Sequence, residues 1–256
     1  MVVLGSTRLD GRSGVVVACH SMASTCYMCD SVETSREHVP PACFFPPAKE
    51  IGRDLRRNLI TVPSCDVHNS LKAKDDEYLL AIIAMTAALG NQVGQHQFFG
   101  RFLRAVARRP HVYRSFFRDR GTFANGTLHA SKIDRPRFNR SIDQLARALY
   151  FHVYERKWPL PISIISPNIF SGIQSDQVVP YQPTEVAVEA SRRFLDGAPN
   201  RGENPEVFKY RVRYDESDQG YAFAAIFYGY FEVFAYSSRE LVESRKESGA
   251  VSKGAA

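Results

Sequence analysis

Two short segments near the amino-terminal end carry residue types and spacings that bind a soft cation: Cys26-x-x-Cys29 and, with residues 30–64 between them, Cys65-x-x-His68. Three thiolates and one imidazole make a four-coordinate, tetrahedral zinc set, and closing it would staple residues 26–68 into a module. The cysteine inventory supports metal over disulfides. The chain has five cysteines, an odd number, and the short apolar run GVVVACH near its start is too brief for a secretion signal. Cys19 and Cys43 lack the spacing of the other three and read as free thiols.

The polar residues enclosed by this frame could do different work. Glu37 and His38 stand side by side and run into Pro40 and Pro41; Asn58 precedes an apolar LITV; Asn69 and Lys72 follow directly after His68. A carboxylate can hold a hard divalent ion, and histidine as a residue type can take a proton from water near neutral pH. Neighbours on an extended chain point to opposite sides, so Glu37 can serve one partner and His38 another, and the prolines end the strand that carries them.

Read in order, CYMC…REHVPP…RRNLITVPSCDVHNSLK resembles the HNH endonucleases, nucleases of the zinc-stabilised ββα-metal fold. The resemblance covers about residues 26–72. It implies structural Zn²⁺ on Cys26, Cys29, Cys65 and His68, with His38 as the general base and Asn58 orienting its imidazole. It further implies that Glu37 and Asn69 hold a catalytic Mg²⁺ or Mn²⁺, and that Lys72 contacts nucleic acid. Two positions depart from the family pattern: His68 stands where a cysteine is usual, and Asn69 where the last histidine of the family name would be.

These residues need elements to position them. The expected fold class is α+β: an N-terminal zinc-stapled ββα-metal module followed by a helical and then antiparallel-β region. Residues 1–21 read as a poorly ordered extension, with Met22 an alternative start, and residues 22–90 as the nuclease module with its following helix. Residues 91–236 read as an accessory domain, and 237–256 as a polar, disordered tail. DDEYLLAIIAMTAALG predicts a helix from Asp75 to Gly90, its acids at the positive end and facing solvent. A second helix is expected over 95–109 with Arg101, Arg104 and Arg108 on one face and Phe98, Phe102, Leu103 and Val106 inward, and a third over 141–157. His152 on that helix reads as packing, and Trp158 as core. Strands are expected at PISIIS, at VFKYRVRY and in the aromatic stretch 221–236, the last two forming a hairpin around DESDQG.

Lys and Arg together number 33 against 27 Asp and Glu, a net charge of +6 that suits a polyanionic partner without demanding one. The arginines at 101, 104 and 108 fit phosphate contacts, and equally a solvated helix face; Lys209, Arg211 and Arg213 offer a weaker basic strand face. No apolar run approaches a membrane span. The expectation is a cytoplasmic, metal-dependent DNA endonuclease, RNA not excluded, acting in restriction, phage defence or a mobile element. A regulatory protein partner is compatible with this, since an uncontrolled nuclease harms its own cell; no motif names one, and none reports the oligomeric state. The competing expectation is a zinc-stabilised nucleic-acid or protein binding module that does not cut.

Overall fold

Ser35–His38 is too short and too polar to stand as a strand without a partner, and it finds one across a long loop. It forms β1, paired antiparallel with β2 (Thr61–Ser64) in the register Ser35↔Ser64 and His38↔Thr61. A computed structural model describes residues 24–240 and 243, apart from 114–118, 124–125, 131–132, 170–172, 175–176, 179–181 and 218. The expected extension over 1–21 and most of the expected tail over 237–256 lie outside the described residues. Ser237 itself ends a strand and is buried.

The loop between β1 and β2 begins at a cis Val39–Pro40 bond and carries a 3₁₀ turn (Ala42–Phe44) and the one-turn helix α1 (Ala48–Ile51). Phe44, Phe45 and Leu55 anchor it by burial. After β2 the chain passes through the Cys65–His68 turn and a 3₁₀ turn (Ser70–Lys72) into α2 (Ala73–Ala87). This helix starts two residues before the expected position. Tyr78, Leu79, Ala81, Ile82, Ile83, Ala84 and Ala87 are all buried, the pattern of a helix covered on most sides.

Next comes a helical rod that changes pitch: α3 (Gln92–Gln95), a π-helical segment (His96–Phe102) and α4 (Leu103–Arg108), followed by α5 (Pro110–Tyr113). The wider π turn moves the residues after it by about 100° relative to a regular helix. Leu103, expected inward, is 40% exposed in consequence, while Phe102 stays buried. β3 (Asp119–Phe123) and β4 (Gly126–Ala130) pair as a hairpin before α6 (Arg135–Tyr154). The Asp134 side chain caps α6 by accepting from the Arg137 amide, and Phe138, Ile142, Leu145 and Leu149 form its buried stripe. Trp158 is buried, as expected. His152 is not: it lies exposed in the last turn of α6, beyond Tyr150, the last buried residue of that helix.

The carboxy-terminal part is a four-stranded antiparallel sheet in the order β5 (Ser163–Ile165), β10 (Phe231–Ser237), β9 (Gly220–Phe227), β8 (Phe208–Asp215). The short hairpin β6 (Ile173–Gln174) and β7 (Gln177–Val178) and the helix α7 (Gln182–Phe194) lie between β5 and β8 in the chain. The expected hairpin around DESDQG is present as β8–β9, Asp215↔Gly220. The aromatic stretch that follows folds back on itself at Tyr228 and Gly229, both in the left-handed region (φ 52° and 74°), so it makes two strands. β9 is buried on both sides: Tyr221, Phe223, Ala225 and Phe227 face the main core, and Ala222 and Ala224 face a second cluster with Val188, Leu195 and Phe234. Double-sided burial explains its unbroken apolar run.

The main core is continuous from the Cys-rich segment to the sheet. Phe44 packs against Phe227 with ring centroids 5.2 Å apart, and its carbonyl accepts from Tyr228 Oη (2.8 Å) and Gln97 Nε2 (2.7 Å). Residues 22–90 and 91–236 therefore share one hydrophobic interior.

Candidate metal centre and adjoining cleft

Two tight turns bring four ligand atoms together. The Cys26–Cys29 turn is closed by the Thr25↔Val32 bridge and by the Cys26 amide on the Ser31 carbonyl (2.9 Å); the second is closed by the amides of His68 and Asn69 on the Cys65 carbonyl. β2 links the two, because the Pro63 carbonyl accepts from the Tyr27 amide (2.9 Å). The three sulfurs and the His68 ring lie within 4.8 Å of one another. Nδ1 of His68 is 3.5, 3.6 and 3.3 Å from the sulfurs of Cys26, Cys29 and Cys65, and the Cys29 and Cys65 sulfurs are 3.8 Å apart.

Bonds of about 2.3 Å to sulfur and 2.0–2.1 Å to nitrogen give a tetrahedron with S···S edges of about 3.8 Å and S···N edges of about 3.5 Å. The observed set fits zinc. Hydrogen bonds from Ser31 hold the Cys29 thiol below its ordinary pKa, and burial holds the His68 imidazole below its own, so both favour the deprotonated, ligating form. All four expected ligands are thus brought together.

The end of β1 that follows the first turn contributes to a small cleft lined by Glu37, His38, Val39, Pro41, Lys72, Asp76, Leu79, Ser141 and Leu145. Glu37 is on the inward face of β1 and is buried; His38 is exposed at the strand's end. Glu37 Oε1 pairs with Lys72 Nζ, and Ser64 Oγ donates to Oε2 (3.4 Å). Lys72 Nζ also pairs with Asp76 Oδ1 at 3.2 Å, one helical turn on. Two carboxylates around one ammonium lift the Lys72 pKa against the opposing effect of burial, and burial pushes the Asp76 carboxyl up to about 6.

Several expectations for single residues need correction. Lys72 does not face outward toward nucleic acid: it is buried, because Glu37 and Asp76 hold its ammonium inside the cleft. Asn69 turns to Ser35, its Nδ2 donating to Ser35 Oγ (2.8 Å), and is not among the residues lining the cleft with Glu37. Asn58 sits exposed in a turn at φ 51°, a left-handed conformation that asparagine tolerates, and hydrogen-bonds no described residue, His38 included. Arg101 is tied down by the Cys43 carbonyl (3.2 Å), Gln97 (3.4 Å) and Glu50 (3.8 Å), leaving Arg104 and Arg108 exposed on the rod.

Asp75 and Asp76 were expected in solvent. Instead Asp75 accepts from Arg137 Nε (2.6 Å) and Asp76 enters the cleft. The i,i+4 spacing of Lys72 and Asp76 was the signal in the sequence for that placement. Comparison with protein-family models, curated proteins and solved structures finds no match to this chain. No helix among the described residues is long and apolar enough to cross a membrane.

Proposed function

We propose that the chain is a metal-dependent endonuclease of the HNH type that hydrolyses phosphodiester bonds in DNA. The observation that carries this reading is the exposed His38 next to the buried Glu37, on a cleft that adjoins a Cys₃His cluster of zinc dimensions. The order of elements supports it: β1, a long loop, β2 and then α2 make a ββα arrangement with the cluster at its base. A module stabilised by zinc alone has no use for a carboxylate and an imidazole at that point.

In this reading His38 accepts a proton from the attacking water, and its exposure gives a duplex access to it. A divalent ion at Glu37 supplies, when bound, charge relief at the leaving 3′-oxygen. The Cys₃His cluster fixes the ends of β1 and β2, and with them the direction of His38. Restriction, phage defence or a mobile element is the setting that suits such an activity.

One observation favours the second reading, a non-cutting zinc-stabilised binding module: Lys72 neutralises Glu37. Incubating purified, zinc-loaded protein with supercoiled plasmid and Mg²⁺ or Mn²⁺ separates the two. The nuclease reading expects nicking that EDTA stops and that His38→Ala lacks; intact plasmid throughout supports the binding module, and nicking retained by His38→Ala removes His38 from the role of base.

A further inference from the structure

The helical rod turns two large apolar side chains outward, Phe99 at 60% and Leu103 at 40% exposure, and with the exposed Gln95 and Ala107 they form one stripe. Spacing of four residues keeps the stripe on one side of the rod. Phe99 is held in place. Its ring meets Phe98 edge-on at 4.9 Å, and Phe98 stacks on the buried Phe102 at 5.8 Å. The π turn that carries all three is bonded to the β1–β2 loop, by Gln97 Nε2 on the Phe44 carbonyl (2.7 Å) and by Arg101 on the Cys43 carbonyl (3.2 Å). An aromatic ring is thereby braced toward solvent where the rod departs from regular helix, and π turns recur at functional sites.

The charge around that stripe has one sign. Between Glu77 and Asp119 the chain carries six arginines and no Asp or Glu. Glu50, which the loop brings against the rod, is engaged by His96 (3.1 Å) and Arg101 (3.8 Å). Arg104, Arg108 and Arg109 are exposed and make no ion pair with a described residue. Two large apolar groups among arginines are too small a face to enter a bilayer, where an amphipathic helix buries a continuous apolar side. They match an unpaired base, which offers a π face to a phenyl ring and flanking phosphates to guanidinium groups. In an intact duplex the faces of each base are taken by its neighbours.

We propose that this stripe binds single-stranded nucleic acid: Phe99 stacks on an unpaired base, Leu103 packs against the same nucleotide or the next, and Arg104 and Arg108 hold the flanking phosphates. Cys43 and Phe44, to which the rod is bonded, follow Pro41 of the cleft, so the strand is bound beside the loop that leads away from His38. The inference deepens the nuclease reading by naming an unpaired strand as the substrate class, and it rests on that reading only for the cutting.

The test is binding by the zinc-loaded, full-length protein in a His38→Ala background, followed by fluorescence anisotropy across a salt series. The probes are a labelled single strand as DNA and as RNA, the matching DNA duplex, and vesicles of anionic phospholipid. Phe99→Ala is expected to weaken single-strand binding by about tenfold or more at every salt concentration, and to leave duplex binding within about twofold, since stacking needs an open base face. Replacing Arg104 and Arg108 by Gln instead flattens the slope of log affinity against log salt on the single strand by about 1.4, at about 0.7 per lost contact. Phe99→Trp keeps the affinity and reports stacking by quenching of an exposed indole, while the buried Trp158 stays silent; it keeps the test decisive if Phe99→Ala disturbs the rod. The pattern on either DNA or RNA supports the proposal, and the tighter of the two names the strand. Undiminished single-strand affinity in Phe99→Ala, equal losses on single strand and duplex, no quenching in Phe99→Trp, or Phe99-dependent binding to vesicles in place of the strands each overturns it. Strand binding that follows this pattern, with plasmid left intact by the protein that retains His38, keeps the base site and removes the nuclease function. Nicking with strand affinity indifferent to Phe99 does the reverse.

Discussion

A thiolate bound to zinc and a buried neutral thiol are both slow to react, but only the first is released by a chelator. Cys26, Cys29 and Cys65 belong to the metal cluster, whereas burial pushes the Cys43 thiol up to about 11, so it stays protonated at mild pH. Treating the native protein with a thiol reagent at pH 8 before and after chelation should add three reactive groups, and metal analysis of Cys65→Ala should find the zinc lost. Undiminished zinc in that variant would refute the cluster. His38 gives a different kind of prediction. It makes no side-chain hydrogen bond to any described residue and is exposed, so His38→Ala should leave stability alone, hold DNA affinity within a few-fold and reduce nicking by about 10²–10⁴-fold. More than a tenth of the wild-type rate in that variant takes the role of base away from His38.

Elements meet closely where α2 ends and the β9–β10 turn arrives. A Cβ on Gly94 of α3 would lie 2.5 Å from the Ala87 carbonyl oxygen and 2.8 Å from Tyr228 Cβ. Gly→Ala inside an exposed helix normally stabilises by about 1 kcal/mol; here overpacking against backbone reverses the sign, and Gly94→Ala should lower stability by about 1–3 kcal/mol, read as a drop in Tm. The helical rod just beyond allows another test. Replacing Arg104 and Arg108 by Gln in a His38→Ala background should flatten the log affinity against log salt slope by about 1.8 on duplex DNA, at about 0.9 per lost phosphate contact. Arg101→Gln should lower Tm and leave the slope unchanged, because its guanidinium is spent on the Cys43 carbonyl, Gln97 and Glu50. An unaltered slope in the double variant assigns the rod to solvent and moves the search to Lys209, Arg211 and Arg213.

The elements that could be read from the chain are those with a strong local signal. The two Cys/His pairs, the acidic start of α2 and the alternation from Phe208 to Tyr214 each depend on residues close in sequence. What could not be read depends on partners far away. β9 and β10 look like one aromatic run because β9 is covered on both faces, and α7 was hidden in a region whose neighbours read as strands. The inward turn of Asp76 requires Glu37 from another element to hold Lys72 in place, and the π turn that exposes Leu103 has no local signature. In the cleft, the Glu37–His38 pair was legible; the company it keeps was not.

At the scale of the whole molecule, the Cys₃His cluster and the sheet are joined by one interior. The β1–β2 loop carries Phe44 and Phe45 into it, Tyr228 and Gln97 hydrogen-bond the Phe44 carbonyl, and Asn91 Nδ2 reaches the Glu206 carbonyl at 2.7 Å. At the rim, Arg53 pairs with Glu206 at 3.2 Å. With no apolar boundary between residues 22–90 and 91–236, losing one part exposes the core face of the other. Thermal unfolding should therefore be a single transition, with zinc release and loss of the sheet's near-ultraviolet signal coinciding, as two-state behaviour requires. Phe44→Ala should destabilise by about 3–5 kcal/mol and shift both signals together, although Phe44 is not a zinc ligand and not in the sheet. Chelating zinc should likewise lower the melting point of the sheet, since metal-binding energy is folding energy for whatever shares its core. Two separate transitions, with the sheet's midpoint unmoved by chelation or by Phe44→Ala, would mean that the Cys₃His module and the sheet unfold as independent units, and that the sheet contributes nothing to holding β1 and His38 in place.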